Sequence, residues 1–381
     1  LVKQLSHANL WWRITAQRLL VDRQDRAAVP ALEELARRGD PWVARLHALW
    51  TLEGLESLRN EILLQAMADG HAGVREHAVR LAENRLADAR VKEKLLGLAN
   101  DPEARVQFQV ACTLGRLPRE QAFRPLQQIA RRHADDPWFQ IAVLTSASDN
   151  AGAWFRAMLG NPAKGREDFL RRIASVVGAK KNEEQVAEVL GAIAQAGGEQ
   201  DAAWRLASLN GLADGLRQGS RRRVRLVAGQ RLLRKLLAGD STAIARTALR
   251  VAARVELAPS AELRALIGKA AETARNQGAS LEQREQAMGI LGLDPSGQTA
   301  SLLAKFLAPL EPDGIQVAAA EALANLPAGD VIPIFLDRWR AATGKVRDVF
   351  VAGFFADPKR LPALLDAIQA GTVQAWALGP A

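Results

Sequence analysis

Residues 8–20 read ANLWWRITAQRLL, and variants of this stretch return along the chain. WWRITAQRLL (11–20) aligns with WVARLHALWTL (42–52), GVREHAVRLA (73–82), RVQFQVACTLGRL (105–117) and WFQIAVLTSA (138–147). With Ala16, Ala48, Ala78, Val110 and Val143 as equivalent anchors, the steps are 32, 30, 32 and 33 residues. Self-similarity at a period near thirty marks a stacked repeat architecture. The pattern resumes at AIARTALRVAARV (243–255), EQREQAMGIL (282–291), GIQVAAAEALANL (314–326) and KVRDVFVAGF (345–354), with anchors Ala248, Ala287, Ala319 and Phe350. Two weaker copies, DFLRRIASVVG (168–178) and AAWRLASLNGL (202–212), fill the 105 residues between Val143 and Ala248.

Each copy is followed by a second apolar-periodic segment. Examples are AVPALEELARR (28–38), AFRPLQQIARR (122–132), QVAEVLGAIAQ (185–195) and LPALLDAIQAG (361–371). Apolar residues recur at i, i+3, i+4 and i+7, the stripe of an amphipathic helix. Joints carry GDP (39–41), NDP (100–102) and DDP (135–137). There Asp can cap a helix and Pro is preset for its first turn. Two antiparallel helices per unit make an α-solenoid. The expectation is an all-α fold, one HEAT-like superhelix of about eleven helical hairpins over residues 1–381, with 144–240 the most degenerate stretch. At roughly 8–10 Å per packed layer it would run about 100 Å along its curve.

Three columns follow from the alignment. Four residues before the anchors stand Trp12, Ala44, Val74, Val106, Phe139, Ile244, Ile315 and Val346. This column is apolar and on the anchor's face, so Trp12 is predicted to be core. One place earlier, at a helix-start rim, Trp11 is expected to cover the end of the first repeat. Three before the anchors the column is polar: Arg13, Arg45, Arg75, Gln107, Gln140, Arg284, Gln316 and Arg347. Stapling of neighbouring repeats, through joint residues Asp40, Asp69, Asp101 and Asp136, is the favoured role. An anion-binding stripe is the other.

Catalytic signatures are not found. There is no P-loop, no G-x-S-x-G elbow and no G-x-G-x-x-G after a strand. The five histidines, His7, His47, His71, His77 and His133, lack metal-ligand spacing and read as surface or joint residues. Cys112 is the single cysteine, expected as a small buried hydrophobe without reactivity. No cofactor or metal is expected. No stretch is long and apolar enough to span a membrane. Alternating Val, Ile and Thr runs are also missing, which argues against a sheet domain.

Charge is the outlier. The chain carries +9, and residues 205–254 alone hold twelve Lys or Arg against Asp214 and Asp240. A solvated helix face accounts for this most simply. A docking patch for an acidic partner, built on Arg221, Arg222, Arg223, Arg225, Arg231, Arg234 and Lys235, is the functional alternative. A phosphate-backbone site is the third, with only Trp204 nearby to stack on bases.

LSHANLWWRITAQRLLVDRQDRAAVPALEELA (5–36), DDPWFQIAVLTSA (135–147), LDPSGQTASLLAKFL (293–307) and LPALLDAIQAGTVQAWAL (361–378) add a resemblance. The chain resembles the HEAT-like middle region of large planctomycete and verrucomicrobial proteins. In that family a sorbosone- or glucose-dehydrogenase-like β-propeller precedes the helical array and a c-type cytochrome domain follows it. The resemblance implies an excised piece of a longer, exported protein. It implies a non-catalytic scaffold linking the two flanking domains in a periplasmic or cell-surface setting. Neither propeller sequence nor the C-x-x-C-H of haem attachment is present, so no catalytic residue carries over. A HEAT-like DNA glycosylase and a stand-alone protein-binding scaffold are the rival readings.

Overall fold

The computed structural model describes the chain except residues 148–150, 161–164, 219–222, 240–241, 295–297, 327 and 379–381. It divides into two compact units, Leu1–Phe169 and Leu170–Ala381.

In the first unit, α1 (Leu10–Asp22) and α2 (Val29–Arg38) form a hairpin, as do α3 (Trp42–Gly54) and α4 (Asn60–Ala66). Then come α5 (Ala72–Leu81) with α6 (Ala89–Gly97), α7 (Ala104–Thr113) with α8 (Arg119–Arg132), and α9 (Pro137–Ala147) with α10 (Ala151–Leu159). The odd-numbered helices pack in a row, α3 between α1 and α5, and α7 between α5 and α9. α2, α4 and α6 form a second row. The anchors Ala16, Ala48, Ala78, Val110 and Val143 are all buried, as the repeat alignment requires.

Local chemistry starts the helices where expected. Asp136 accepts from the N–H groups of Trp138 (2.8 Å) and Phe139 (3.3 Å) at the head of α9. Asp88 does the same for Arg90 (2.8 Å) and Val91 (3.3 Å) at α6. Each bond satisfies an N–H that the helix itself leaves open.

One expectation fails. Ala44, Val74, Val106 and Phe139 are buried, but Trp12 in the same column is 47% exposed. α3 has a helix on either side, whereas α1 has α3 on one side and the short 3-10 turn Val2–Ser6 on the other. That turn buries Leu5 and leaves the indole uncovered. Trp11 is 61% exposed and stands edge-on to Trp12 at 5.0 Å. It covers no core.

The second unit begins inside α11 (Arg166–Lys180), which pairs with α12 (Glu183–Gln195). α13 (Glu199–Arg217) leads through strand β1 (Val224–Arg225) to α14 (Gln230–Leu237). α15 (Thr242–Ala252) leads through β2 (Val255–Glu256) to α16 (Ala261–Arg275). Three more hairpins follow: α17 (Leu281–Leu291) with α18 (Ala300–Lys305), α19 (Asp313–Ala324) with α20 (Ala328–Arg338), and α21 (Gly344–Ala356) with α22 (Leu361–Gln369). The described residues thus contain 22 α-helices, or eleven hairpins, matching the count from the alignment.

β1 and β2 pair in parallel, Val224 beside Val255 and Arg225 beside Glu256. They tie equivalent positions of two successive hairpins and make no sheet layer. α17 opens with a capping box, Ser280 and Gln283 each bonding the other's backbone N–H. Phe335 stacks on Phe350 at 4.3 Å and meets Phe354 edge-on at 5.6 Å, an aromatic core beneath α20 and α21.

α11 and α13 approach through glycine. A Cβ at Gly211 would run into the carbonyl oxygen of Arg171, and one at Gly215 into that of Ser175. Gly211 and Gly215 lie one helical turn apart, so they present a bare strip of backbone to α11.

Candidate docking surface

The polar column resolves into a repeated clasp. Each member donates to a backbone carbonyl just before its own helix, in the preceding loop or, for Arg284, in the last turn of α16. Arg13 reaches His7 O (2.7 Å) and Ala8 O (2.8 Å), and Arg45 reaches Gly39 O (2.8 Å). Arg75 reaches Asp69 O (2.8 Å), and Gln140 reaches Ala134 O (2.7 Å). Gln107 bonds Asp101 O. Arg284 reaches Ala274 O (3.0 Å), Gln316 reaches Glu311 O (2.7 Å), and Arg347 reaches Trp339 O and Arg340 O (both 3.0 Å).

Stapling to the next repeat is added only by some arginines. Arg45 makes a bidentate pair with Asp69 (2.7 and 2.9 Å), and Arg75 with Asp101 (2.8 and 2.8 Å). Arg284 pairs once with Glu311 (2.9 Å). Asp136 serves as a helix cap, and Arg45 passes Asp40 for the neighbouring carbonyl of Gly39. Burial raises the Asp69 carboxyl, but Arg45 and the His71 N–H outweigh it and hold it below the usual carboxylate range. Asp101 pushes the Arg75 guanidinium up. The column is a structural device, and its guanidiniums are not an open anion stripe.

The histidines are mostly joint residues. His71 stacks on Trp42 at 4.0 Å, and His133 stacks on Phe139 at 3.8 Å while bonding Gln107 (2.7 Å). His7 accepts from the Asn9 N–H (3.0 Å). His77 takes the Trp50 indole N–H (3.1 Å). His47 departs from the surface-or-joint reading. It lies mid-helix and buried, bonded to Gln17 (2.7 Å) and Arg13 (3.3 Å). Burial, with Arg13 and His77 nearby, pushes its imidazole down. Cys112 is half-buried rather than fully core, and burial with the Glu83 charge raises its thiol. Among the described residues no three His, Cys, Asp or Glu side chains gather as metal ligands. No helix is long and apolar enough to cross a membrane.

The basic segment is dispersed. Arg221 and Arg222 lie outside the described residues. Arg223 donates to Asn325 O (2.6 Å), and exposed Arg225 stands opposite Glu256 in the strand pair. On α14, Leu233, Leu236 and Leu237 turn inward. Arg231 is exposed, Arg234 bonds Gln230 (3.4 Å), and Lys235 bonds Ala194 O (3.0 Å). Glu262 lies within their field. Its own backbone N–H and Ser260 lower its carboxyl most, with Arg234 and Arg231 adding to the effect. Arg217 and Arg250 share Asp214 (3.1 and 2.9 Å), and Arg246 pairs with Glu282. The segment is therefore a set of local contacts around α13–α16, with Arg225 and Arg231 among its exposed members.

The alignment did not anticipate the large apolar side chains left exposed on the first unit. Leu10 (52%), Trp11, Trp12 and Ile14 (52%) stand out on α1, and Trp138 (70%) and Ile141 (43%) on α9. Trp11 and Trp138 hold the same repeat position, five residues before Ala16 and Val143. The helix-start rim predicted that position, but burial patterns in the sequence gave no sign of how open the α1 and α9 faces are.

This architecture is an α-solenoid of HEAT type. A family model described as HEAT repeats matches residues 60–147, spanning α4 to α9. Among solved structures, the chain is similar to the karyopherin Kap121p bound to Pho4p, at 11% identity and TM-score 0.59. That match covers 99% of this chain and 48% of the other. Kap121p bound to the extreme C-terminus of the protein phosphatase Cdc14p gives 10% identity, TM-score 0.51 and coverages of 99% and 52%. Kap121p bound to the SUMO protease Ulp1p gives 10%, 0.51, 97% and 51%. This chain thus spans about half the length of these neighbours, and at such identity the likeness is one of fold. No curated protein matches the sequence.

Proposed function

We propose that this chain is a scaffold that docks other protein domains through the surface its hairpins present. One observation carries the reading. Leu10, Trp11, Trp12, Ile14, Trp138 and Ile141 stand open to solvent, while the repeated polar residues are engaged in holding hairpins together. Exposed aromatic and aliphatic side chains in number are a feature of binding surfaces. The solenoid fold supports it, since Kap121p structures of this fold hold protein ligands.

The finer reading rests on the sequence resemblance. Residues 1–381 form the helical region between a dehydrogenase-like propeller and a c-type cytochrome domain of the same parent, in an exported setting. The helical piece contributes geometry, holding an oxidising domain and an electron acceptor at a set separation, and carries no chemistry of its own. Exposed Arg225 and Arg231 are the docking residues for an acidic partner surface.

The test is binding of the purified chain to the separately produced domains encoded on either side of it. Retention of one flanking domain, weakened about tenfold or more by Trp11→Ser with Trp138→Ser, is the expected result. Flanks that encode neither a propeller nor a C-x-x-C-H motif would end the finer reading. Full binding by the double variant would end the assignment of the apolar surface.

A further inference from the structure

The second unit contains a cavity of about 710 Å³ lined in part by Arg223, Arg254, Glu256, Asp294, Asp357 and Arg360. Its volume lies in the roughly 300–1,000 Å³ range of small-molecule sites. Residues from several hairpins build it. Arg223 comes just before β1, Arg254 and Glu256 flank and occupy β2, and Arg360 is the N-cap of α22.

Two of its guanidiniums have spare donors. Arg360 is 2% exposed and gives three hydrogen bonds, to Ala324 O (3.0 Å), Gly353 O (2.9 Å) and Leu326 O (2.6 Å). Its Nε–H has no hydrogen-bond partner among the described residues. Among the described residues Arg223 makes a single hydrogen bond, to Asn325 O. Neither guanidinium has a carboxylate within ion-pair distance among the described residues. A guanidinium offers five N–H donors, so both retain unused ones. Among the described residues Arg360 is a buried cation met only by backbone carbonyls, a costly arrangement that an anion would relieve, whereas Arg223 is exposed.

Two of the three wall carboxylates accept backbone N–H groups. Asp357 accepts the Lys359 N–H (3.0 Å), and Asp294 accepts the Thr299 N–H (3.1 Å). Burial and the charge of Arg254 push the Arg223 guanidinium down against the opposing charge of Glu256, and burial pushes Arg360 down, opposed by Asp357 and aided by Arg223. The like charges therefore feel one another across the cavity.

The geometry points to a binding site for a small phosphate monoester, its phosphate held between Arg223 and Arg360 and its organic part in the rest of the cavity. A phosphate dianion matches two guanidiniums in charge and in the paired N–H geometry that arginine offers. This site is independent of the apolar docking surface of the first unit.

The test uses calorimetry and thermal unfolding of the whole chain with inorganic phosphate and adenosine monophosphate as probes, against sodium chloride at equal ionic strength. Millimolar or tighter binding of phosphate is expected, with tighter binding of the monophosphate. Arg223→Gln, at an exposed position, is expected to weaken both by about tenfold with an unchanged circular dichroism spectrum. Arg360→Lys, which keeps the charge and loses the fork, should weaken them similarly. Stabilisation equal to that by chloride, or binding unaffected by Arg223→Gln, would overturn the site. Binding of duplex DNA without binding of either phosphate probe would overturn it too, in favour of a nucleic-acid surface.

Discussion

The polar column links neighbouring hairpins differently in the two units. In the first, neighbouring hairpins are linked by carboxylates: Arg45 to Asp69 and Arg75 to Asp101, both bidentate and largely buried. In the second, α11 and α13 touch backbone to backbone over Gly211 and Gly215, and the polar column keeps a single carboxylate link, Arg284 to Glu311. What persists across both units is the bond from the column to its own loop. Glutamine can make that bond but is too short and uncharged to add an ion pair to the next repeat. Gln140 and Gln316 show the loop bond alone, and Gln107 adds a neutral bond to His133 of the next joint. The primary role of the column is thus to hold a loop against its own helix, and inter-repeat stapling is an addition.

The strongest way to break this contrast is Asp101→Ala. It leaves Arg75 buried without its partner and removes the acceptor of the Glu103 N–H. A loss of about 4 kcal/mol is expected, the cost of orphaning one member of a buried pair. Amide-exchange protection over α5 and α7, compared with wild type, reads it. Protection unchanged there would remove ion pairing as a structural link of the first unit.

Gly211→Ala tests the other side. The methyl meets the Arg171 carbonyl, so α11 and α13 must separate, at a cost of about 3 kcal/mol in urea unfolding. Stabilisation, as expected for alanine in an unobstructed helix, would refute close backbone packing. Gln140→Ala removes only a loop bond and leaves the Ala134 carbonyl to find another partner. About 1 kcal/mol is expected, measured the same way. A cost equal to that of Asp101→Ala would erase the distinction between loop holding and stapling.

A smaller effect follows from pH. Burial pushes the imidazoles of His47, His77 and His133 below their ordinary value. The unfolded chain, with histidines near 6.5, then takes up protons first as pH falls. Stability is expected to decline from pH 7 downward through 6.5 and on toward the lower folded values. The urea midpoint at pH 7 and pH 5.5 checks this, and His47→Gln should flatten the slope.

The helical periodicity was legible in the sequence because burial within a repeat is set by residues three and four apart. The weak copies at 168–178 and 202–212 fall within α11 and α13 for that reason. Trp12 was misplaced because column position reports which face a side chain takes, while exposure depends on what lies opposite. Gly211 and Gly215 show the spacing of a close contact in LNGLADGLR, but the identity of the facing helix is not written there. The cavity was invisible for a related reason. Arg223 and Arg360 are 137 positions apart and meet only once the intervening hairpins have stacked.

The loop bond has an evolutionary reach. Because Arg or Gln fastens the segment that leads into its own helix, a module cut to include that segment travels with its latch. Duplicating or deleting a whole module breaks no latch in those that remain. A gene of this kind can change the length of its product by recombination, with acidic partners such as Asp69 and Asp101 reinforcing particular junctions.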